Sequence, residues 1–105
     1  MKIGLVISTS DPETVCNALR FANTAILDKH WTKIFLLGKG VEIENIKDEK
    51  FNVAEQIEKL KQLGGTMLAC GTCIKSRNMQ FEVCPITTMK DILKLVVESD
   101  RVLTF

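Results

Sequence analysis

Residues 66–79 read TMLACGTCIKSRNM, and the rest of the chain is organised around this stretch. Thr66–Ala69 is apolar enough for a buried strand, and the preceding Gly64–Gly65 pair predicts the end of a helix and a turn. Cys70 and Cys73 follow at the spacing of one helical turn, so we expect a helix that begins at this motif. This strand-to-helix junction, with its pair of thiols, is our candidate for the chemistry of the protein.

The surroundings predicted for these cysteines favour an ionised sulfur. The first backbone N–H groups of a helix lack partners within it and lie at the positive end of its dipole, so they stabilise a thiolate. Lys75 and Arg77 add positive charge, and residues 66–81 contain no Asp or Glu. Such surroundings are typical of reactive cysteines. We therefore predict that Cys70 is the attacking thiol and that Cys73, one turn further in, is more enclosed.

Length, composition and charge exclude several classes of protein. The chain has 105 residues, which predicts one domain over residues 1–105. Hydrophobic residues make up 46% and charged residues 26%, which is typical of a folded globular chain and not of a disordered or membrane-embedded one. The formal net charge of +1 gives no electrostatic footprint for nucleic acid or an acidic membrane. We therefore expect neither as a partner.

The N-terminal sequence predicts a cytoplasmic protein. Its longest apolar run, Leu5–Ile7, is far too short for the core of a signal peptide or for a membrane span. Cysteines stay reduced in the cytoplasm, so we expect the four cysteines to be thiols and not structural disulfides.

Apolar runs that alternate with amphipathic segments predict the fold. Buried strands are expected at residues 2–8, 33–37, 66–69 and 101–105, and residues 81–84 form either a short strand or a loop. Helices are expected from a cap at Ser10, from Asn52, from the cysteine motif, and from Thr88. This alternation predicts a three-layer α/β/α fold of the Rossmann or flavodoxin type, with a mainly parallel sheet between helix layers.

Three segments are predicted to lie at one edge of that sheet. Ser8–Ser10, Gly38–Gly40 and Cys70 each follow a predicted strand. Ligands of open parallel sheets bind at the carboxyl ends of the strands, so these segments could meet there. The strand order decides which of them do, and the sequence does not fix it. For Ser10 we favour a helix-capping role over one in the site. Gly38–Gly40 lacks the longer pattern of a phosphate loop, so a plain turn is expected.

The cysteine segment ACGTCIKSRN, residues 69–78, resembles that of the DsrE/DsrF-like family of small sulfur-relay proteins. The similarity extends over the chain through ISTSDPETV at 7–15, FLLGKGV at 35–41, CPITTMKDI at 84–92 and SDRVLTF at 99–105. The resemblance implies a sheet of about five strands, a homo-oligomer (trimer or hexamer), and sulfur carried as a persulfide. It maps the reactive cysteine onto Cys70, with the family's basic residue at Arg77.

Three functions remain open on these residues. In a sulfur relay, Cys70 accepts sulfane sulfur from a donor protein and yields it to an acceptor protein, and Cys73 resolves the persulfide as a disulfide. A thiol–disulfide oxidoreductase would use the same pair, although Thr72 stands where proline is usual in such enzymes. A metal-binding module would use Cys70, Cys73 and Cys84, although a zinc site normally has a second ligand pair.

The candidate site therefore consists of Cys70 and Cys73 as catalytic residues and of supporting residues around them. The supporting residues are Gly71, Thr72, Lys75, Arg77, Ser8, Ser10 and Cys84. We expect no cofactor and no bound metal, and the sequence leaves open whether the protein is a sulfurtransferase or only a carrier. For the oligomer, residues 79–81 and 101–105 are the candidate contact regions.

Overall fold

Strands and helices alternate along the computed structural model of the protein, which describes residues 1–77 and 86–105. The elements are β1 (Lys2–Ile7), α1 (Pro12–Leu27), β2 (Trp31–Leu36), a 3₁₀ helix (Gly38–Asn45), α2 (Val53–Gln62), β3 (Thr66–Cys70), α3 (Gly71–Ser76), β4 (Ile86–Thr87), α4 (Met89–Glu98) and β5 (Arg101–Thr104). The predicted strand or loop at residues 81–84 lies outside the described residues.

The strands form one parallel sheet in the order β4-β3-β2-β1-β5. The predicted α/β fold with a parallel sheet is confirmed. The expected number of about five strands is reached only by counting β4, which has 2 residues, whereas the other four strands have 4 to 6 residues each. Within residues 1–77 and 86–105, the sheet therefore consists of four strands of ordinary length and a very short one at its edge.

The strand order determines which helices share a face of the sheet. Crossovers between parallel strands are right-handed, so the steps from β1 to β4 in one direction put α1, α2 and α3 on one face. The return from β4 to β5 puts α4 on the other face. Gly4 makes room for α4, because a Cβ at Gly4 would lie 2.6 Å from Cδ2 of Leu95 and from Oγ of Ser99.

The first helix begins with a different cap from the one predicted. Asp11 is the N-cap, and its carboxylate accepts hydrogen bonds from the N–H of Thr14 at 2.9 Å and from the Thr14 hydroxyl at 2.8 Å. These bonds lower the pKa of Asp11. The cap assigned to Ser10 was wrong because Pro12 is the first helical residue, and the cap is the residue directly before it.

The second strand and the segment after it also differ from the prediction. β2 begins at Trp31 and not at Lys33, because Trp31 and Thr32 pair with Lys2 and Ile3 of β1. The predicted turn at Gly38–Gly40 is the start of the 3₁₀ helix, whose buried residues Gly40, Val41 and Ile43 join it to the core. The segment after β2 is thus packed against the sheet.

We expect the cap of α4 to make the stability of the protein depend on acidic pH. Asp91 accepts hydrogen bonds from the N–H of Thr88 at 2.8 Å and from its hydroxyl at 3.1 Å, and these bonds lower its pKa from the ordinary 3.8. The carboxylate therefore contributes its full stability above pH 3.8 and loses it as the pH falls through the lowered value. In thermal unfolding, the difference between wild type and Asp91→Ala should be constant near neutral pH and vanish in acid.

The exposed carboxylate of Glu58 on α2 provides the control for this measurement. Glu58→Ala should unfold with wild-type stability at each pH. A gap between wild type and Asp91→Ala that persists unchanged into strong acid would contradict the role of the ionised cap.

Candidate functional site

The two cysteines of the motif differ in exposure, and the order is opposite to the one predicted. Cys70 is the last residue of β3 and the N-cap of α3, and it is only 2% exposed. Cys73, within α3, is half-buried. Cys70 ends the strand, where it pairs with Thr87 of β4, and its side chain belongs to the hydrophobic core. Both side chains are free thiols.

The backbone N–H of Gly38 donates a hydrogen bond to Sγ of Cys73, with an N···S distance of 3.3 Å. Gly38 has φ of +56°, which only glycine adopts readily, and it begins the 3₁₀ helix after β2. The sequence placed Gly38–Gly40 and the cysteine motif at the same edge of the sheet and left open whether they meet. The structure brings them together, through the hydrogen bond to Cys73.

The two serines proposed as supporting residues lie in different surroundings. The hydroxyl of Ser8 donates to the backbone carbonyl of Phe105 at 3.1 Å, and it thereby fastens the end of the chain to the end of β1. Ser10 lines a cleft of about 280 Å³ with Pro12, Glu42 and residues 45–47. Neither of these involves a thiol, and the supporting role of the two serines stays a prediction.

Arg77 fastens α3 to the 3₁₀ helix through Glu42. Its Nε lies 3.0 Å from Oε2 of Glu42, and its Nη1 donates to the backbone carbonyl of Cys73 at 3.2 Å. The sequence predicted an unopposed positive charge near the thiols, but folding brings a carboxylate to it from 35 residues away. Arg77 therefore positions the helix that carries Cys73. Glu42 was missed because nothing in its local sequence marks it as a partner of Arg77.

Gly71, Thr72 and Lys75 face a second cleft. Its volume is about 270 Å³, and its other lining residues are Thr87, Thr88 and Met89. Lys75 is exposed and follows Cys73 by two positions, so its side chain leaves α3 in a different direction from Sγ of Cys73. The hydroxyl of Thr87 donates to the carbonyl of Ala69 at 3.0 Å, which fastens β4 to the strand that ends in Cys70.

A metal site is not visible in the part of the chain that the structure describes. Within residues 1–77 and 86–105, no three side chains among His, Cys, Asp and Glu form a group that could hold an ion. Cys84, the third ligand considered above, lies outside the described residues, so the expectation of no bound metal stays a prediction. In the same ranges, no helix combines the length and the apolar character needed to cross a membrane.

Comparison with known proteins matches the whole chain to one family. The family model of the DsrE/DsrF-like family matches residues 1–105, which confirms the resemblance identified from the cysteine segment. The chain is 37% identical over 110 residues to the uncharacterised protein MJ0989 of Methanocaldococcus jannaschii, and the match covers 95% of this chain and 96% of that protein.

Solved structures share the fold. The crystal structure of the YchN protein from E. coli matches with a TM-score of 0.84 and 21% identity, and the match covers 100% of both chains. MTH1491 from Methanobacterium thermoautotrophicum, a protein of unknown function, matches with a TM-score of 0.72 and 14% identity over 97% of both chains. At these identities the likeness concerns the fold alone.

Proposed function

Because the chain belongs to the DsrE/DsrF-like family, which is broadly linked to sulfur relay, we propose that it relays sulfur through the Cys70–Cys73 thiol pair. The pair accepts a sulfane sulfur atom from a donor persulfide, holds it as a protein persulfide, and yields it to the thiol of an acceptor protein. The observation that carries the proposal is the hydrogen bond from the N–H of Gly38 to Sγ of Cys73. It gives one thiol of the pair a donor suited to stabilise ionised sulfur.

The relay needs thiols that are reduced, close together and reachable. Cys70 and Cys73 are both free, and their spacing places them as neighbours on the first turn of α3. Cys73 is partly open to a partner. We propose a cytoplasmic location, because a reducing compartment keeps such thiols available. The assignment of the persulfide to Cys70 remains a prediction of the sequence.

We also propose that the protein is a homo-oligomer, a trimer or hexamer, that assembles through α4. Ile92 and Leu95 lie on the face of α4 that packs against the hydrophobic core. A second apolar stripe on this helix faces away from it and is exposed by 59% at Met89, 61% at Leu93, 46% at Val96 and 75% at Val97. Fully burying a side chain of this kind contributes about 1.5–3 kcal/mol, so a second copy would find a favourable contact here.

Intact mass after incubation with a persulfide donor, with metal analysis of the same sample, tests the proposed function. We expect the wild type to gain one sulfur atom and the Cys70→Ser/Cys73→Ser double variant to gain none. Cys16→Ala, which removes a buried cysteine of α1, is the control and should load like the wild type. Loss of two hydrogens without added sulfur would instead indicate a dithiol oxidoreductase, and a stoichiometric metal would indicate a binding module.

A further inference from the structure

We infer that Cys73, with the Gly38 N–H as its hydrogen-bond donor, is the thiol that takes sulfur from the donor, and that Cys70 acts second. This inference rests on the proposed function and assigns the order of its steps. It reverses the order predicted from the sequence, in which Cys70 attacks and Cys73 resolves. Three features of the site carry it: exposure, the hydrogen bond to sulfur, and the anchoring of α3.

Exposure decides which sulfur a donor protein can reach. In the transfer, the attacking sulfur must come within bonding distance of the outer sulfur of the donor persulfide. Cys70 is 2% exposed at the junction of β3 and α3, so it offers an incoming persulfide very little surface. Cys73 is half-buried and therefore has an open side. The donor meets Cys73 first.

The N–H of Gly38 is directed at Sγ of Cys73, with an N···S distance of 3.3 Å. A hydrogen bond to an ionised acceptor is stronger than one to a neutral acceptor, so this donor is suited to the negative charge that sulfur carries during transfer. The same N–H stabilises Sγ of Cys73 when it leaves as a thiolate during onward transfer. Cys70, in contrast, makes no capping hydrogen bond through its side chain at the start of α3.

The anchoring of α3 holds Sγ of Cys73 against its donor. Arg77 binds Glu42 of the 3₁₀ helix at 3.0 Å and the carbonyl of Cys73 at 3.2 Å. Gly38 begins that same 3₁₀ helix. The ion pair and the hydrogen bond to Cys73 therefore join the same two elements, and Arg77 and Glu42 act as positioning residues for the thiol.

The chemistry balances with the donor persulfide as the only co-reactant. The Cys73 thiolate attacks the outer sulfur of a donor R–S–SH, an S–S bond forms to that sulfur, the S–S bond of the donor breaks, and R–S⁻ leaves. Cys73 then carries –S–SH. An acceptor thiolate attacks the outer sulfur, and Sγ of Cys73 leaves as a thiolate. The sulfane sulfur changes carrier without net oxidation.

Cys70 provides a second outcome when no acceptor is present. Its thiolate attacks Sγ of Cys73, a disulfide forms between the two cysteines, and HS⁻ leaves. The two thiols are oxidised by two electrons, and the sulfane sulfur is reduced to sulfide. Burial of Cys70 beside β4 restricts this attack to a neighbouring sulfur, which is consistent with a role after loading.

Loading of single variants with glutathione persulfide tests the order. Cys73→Ser should lose sulfur loading, as judged by intact mass and peptide mapping. Cys70→Ser should carry its added sulfur on Cys73 and should keep its persulfide longer than the wild type, because the resolving thiol is gone. A wild type that gains no sulfur would contradict the proposed function itself. Loading that maps to Cys70, together with normal loading of Cys73→Ser, would overturn only the order inferred here.

A matched pair of glycine variants tests the hydrogen bond. Gly38→Ala and Gly64→Ala both place alanine at a positive φ, +56° and +75°, and neither Cβ meets an atom closer than 3.9 Å. Alanine keeps the backbone N–H, so Gly38→Ala does not delete the donor but displaces it, because alanine resists a φ of +56°. Gly64→Ala carries the same kind of backbone strain at a residue that does not donate to Sγ of Cys73. Alkylation of Cys73 by iodoacetamide should slow on the order of tenfold in Gly38→Ala, as expected for a weakened bond to a charged group, and remain at the wild-type rate in Gly64→Ala. Equal rates in the two variants would show that the placement of this N–H does not control the reactivity of Cys73 and would overturn its role.

Discussion

Replacing Gly40 with alanine should destabilise the protein by about 3 kcal/mol, at the upper end of the cost of overpacking. A Cβ on Gly40 would overlap the carbonyl oxygen of Ile7 and would lie 2.8 Å from its carbonyl carbon. Both atoms belong to the backbone of a central strand, so they cannot move aside as the end of a side chain would. The 3₁₀ helix would have to shift away from β1, and Gly38 with it.

Urea unfolding of Gly40→Ala measures this cost, and alkylation of Cys73 reports on the site. We expect the midpoint to fall and the alkylation rate to change together, because Gly40 and Gly38 lie in the same turn of the 3₁₀ helix. Gly64→Ala is the control, since its Cβ meets nothing within 4 Å and it should cost only about 1–2 kcal/mol of backbone strain. A Gly40→Ala protein as stable as the wild type would show that β1 and the 3₁₀ helix are not in the close contact described.

The sequence predicts the layers of the fold because its signals are local. The apolar residues of α1 recur at intervals of three and four, and the strands are runs of Ile, Leu and Val between turn residues. The Thr88–Asp91 cap of α4 was likewise visible as a spacing of three residues and is present in the structure. The very short β4 carries too little sequence to be recognised by its pattern.

The ion pair at the site could not be predicted, because Glu42, the partner of Arg77, is distant in the sequence. Residues 66–81 contain no acid, which suggested an unopposed Arg77. Folding brings Glu42 to it across 35 residues, and the arginine becomes part of an ion pair between two elements. Counting the charges in a short stretch of sequence does not detect such a contact.

The predicted order of exposure of the two thiols was wrong for a related reason. The sequence placed Cys70 at the open start of a helix, where a side chain would be accessible. In the structure Cys70 is also the last residue of β3, and its side chain is part of the hydrophobic core. The core is built from segments that are far apart in the chain, so the start of a helix, seen locally, does not tell how deeply its first residue is buried.

Replacing apolar residues of the exposed stripe on α4 with lysine should dissociate the proposed oligomer. Leu93 and Val97 are 61% and 75% exposed, so Leu93→Lys/Val97→Lys should leave the fold of each copy intact, as checked by circular dichroism. If the stripe is the contact between copies, each side chain contributes about 1.5–3 kcal/mol, and the loss of two weakens association by roughly 10²- to 10⁴-fold. Light scattering should then show a trimer or hexamer for the wild type and a monomer for the double variant.

A variant of an exposed leucine in the other helix layer is the control. It distinguishes a specific contact through α4 from a general effect of removing surface hydrophobicity. Leu27 at the end of α1 is 58% exposed, and α1 lies on the opposite face of the sheet from α4. Leu27→Lys removes a similar apolar area and adds the same charge, so it should leave the assembly unchanged. A wild type that scatters as a monomer throughout the micromolar range would contradict the proposed assembly. Dissociation by Leu27→Lys as well as by the α4 variant would show that the contact is not confined to α4.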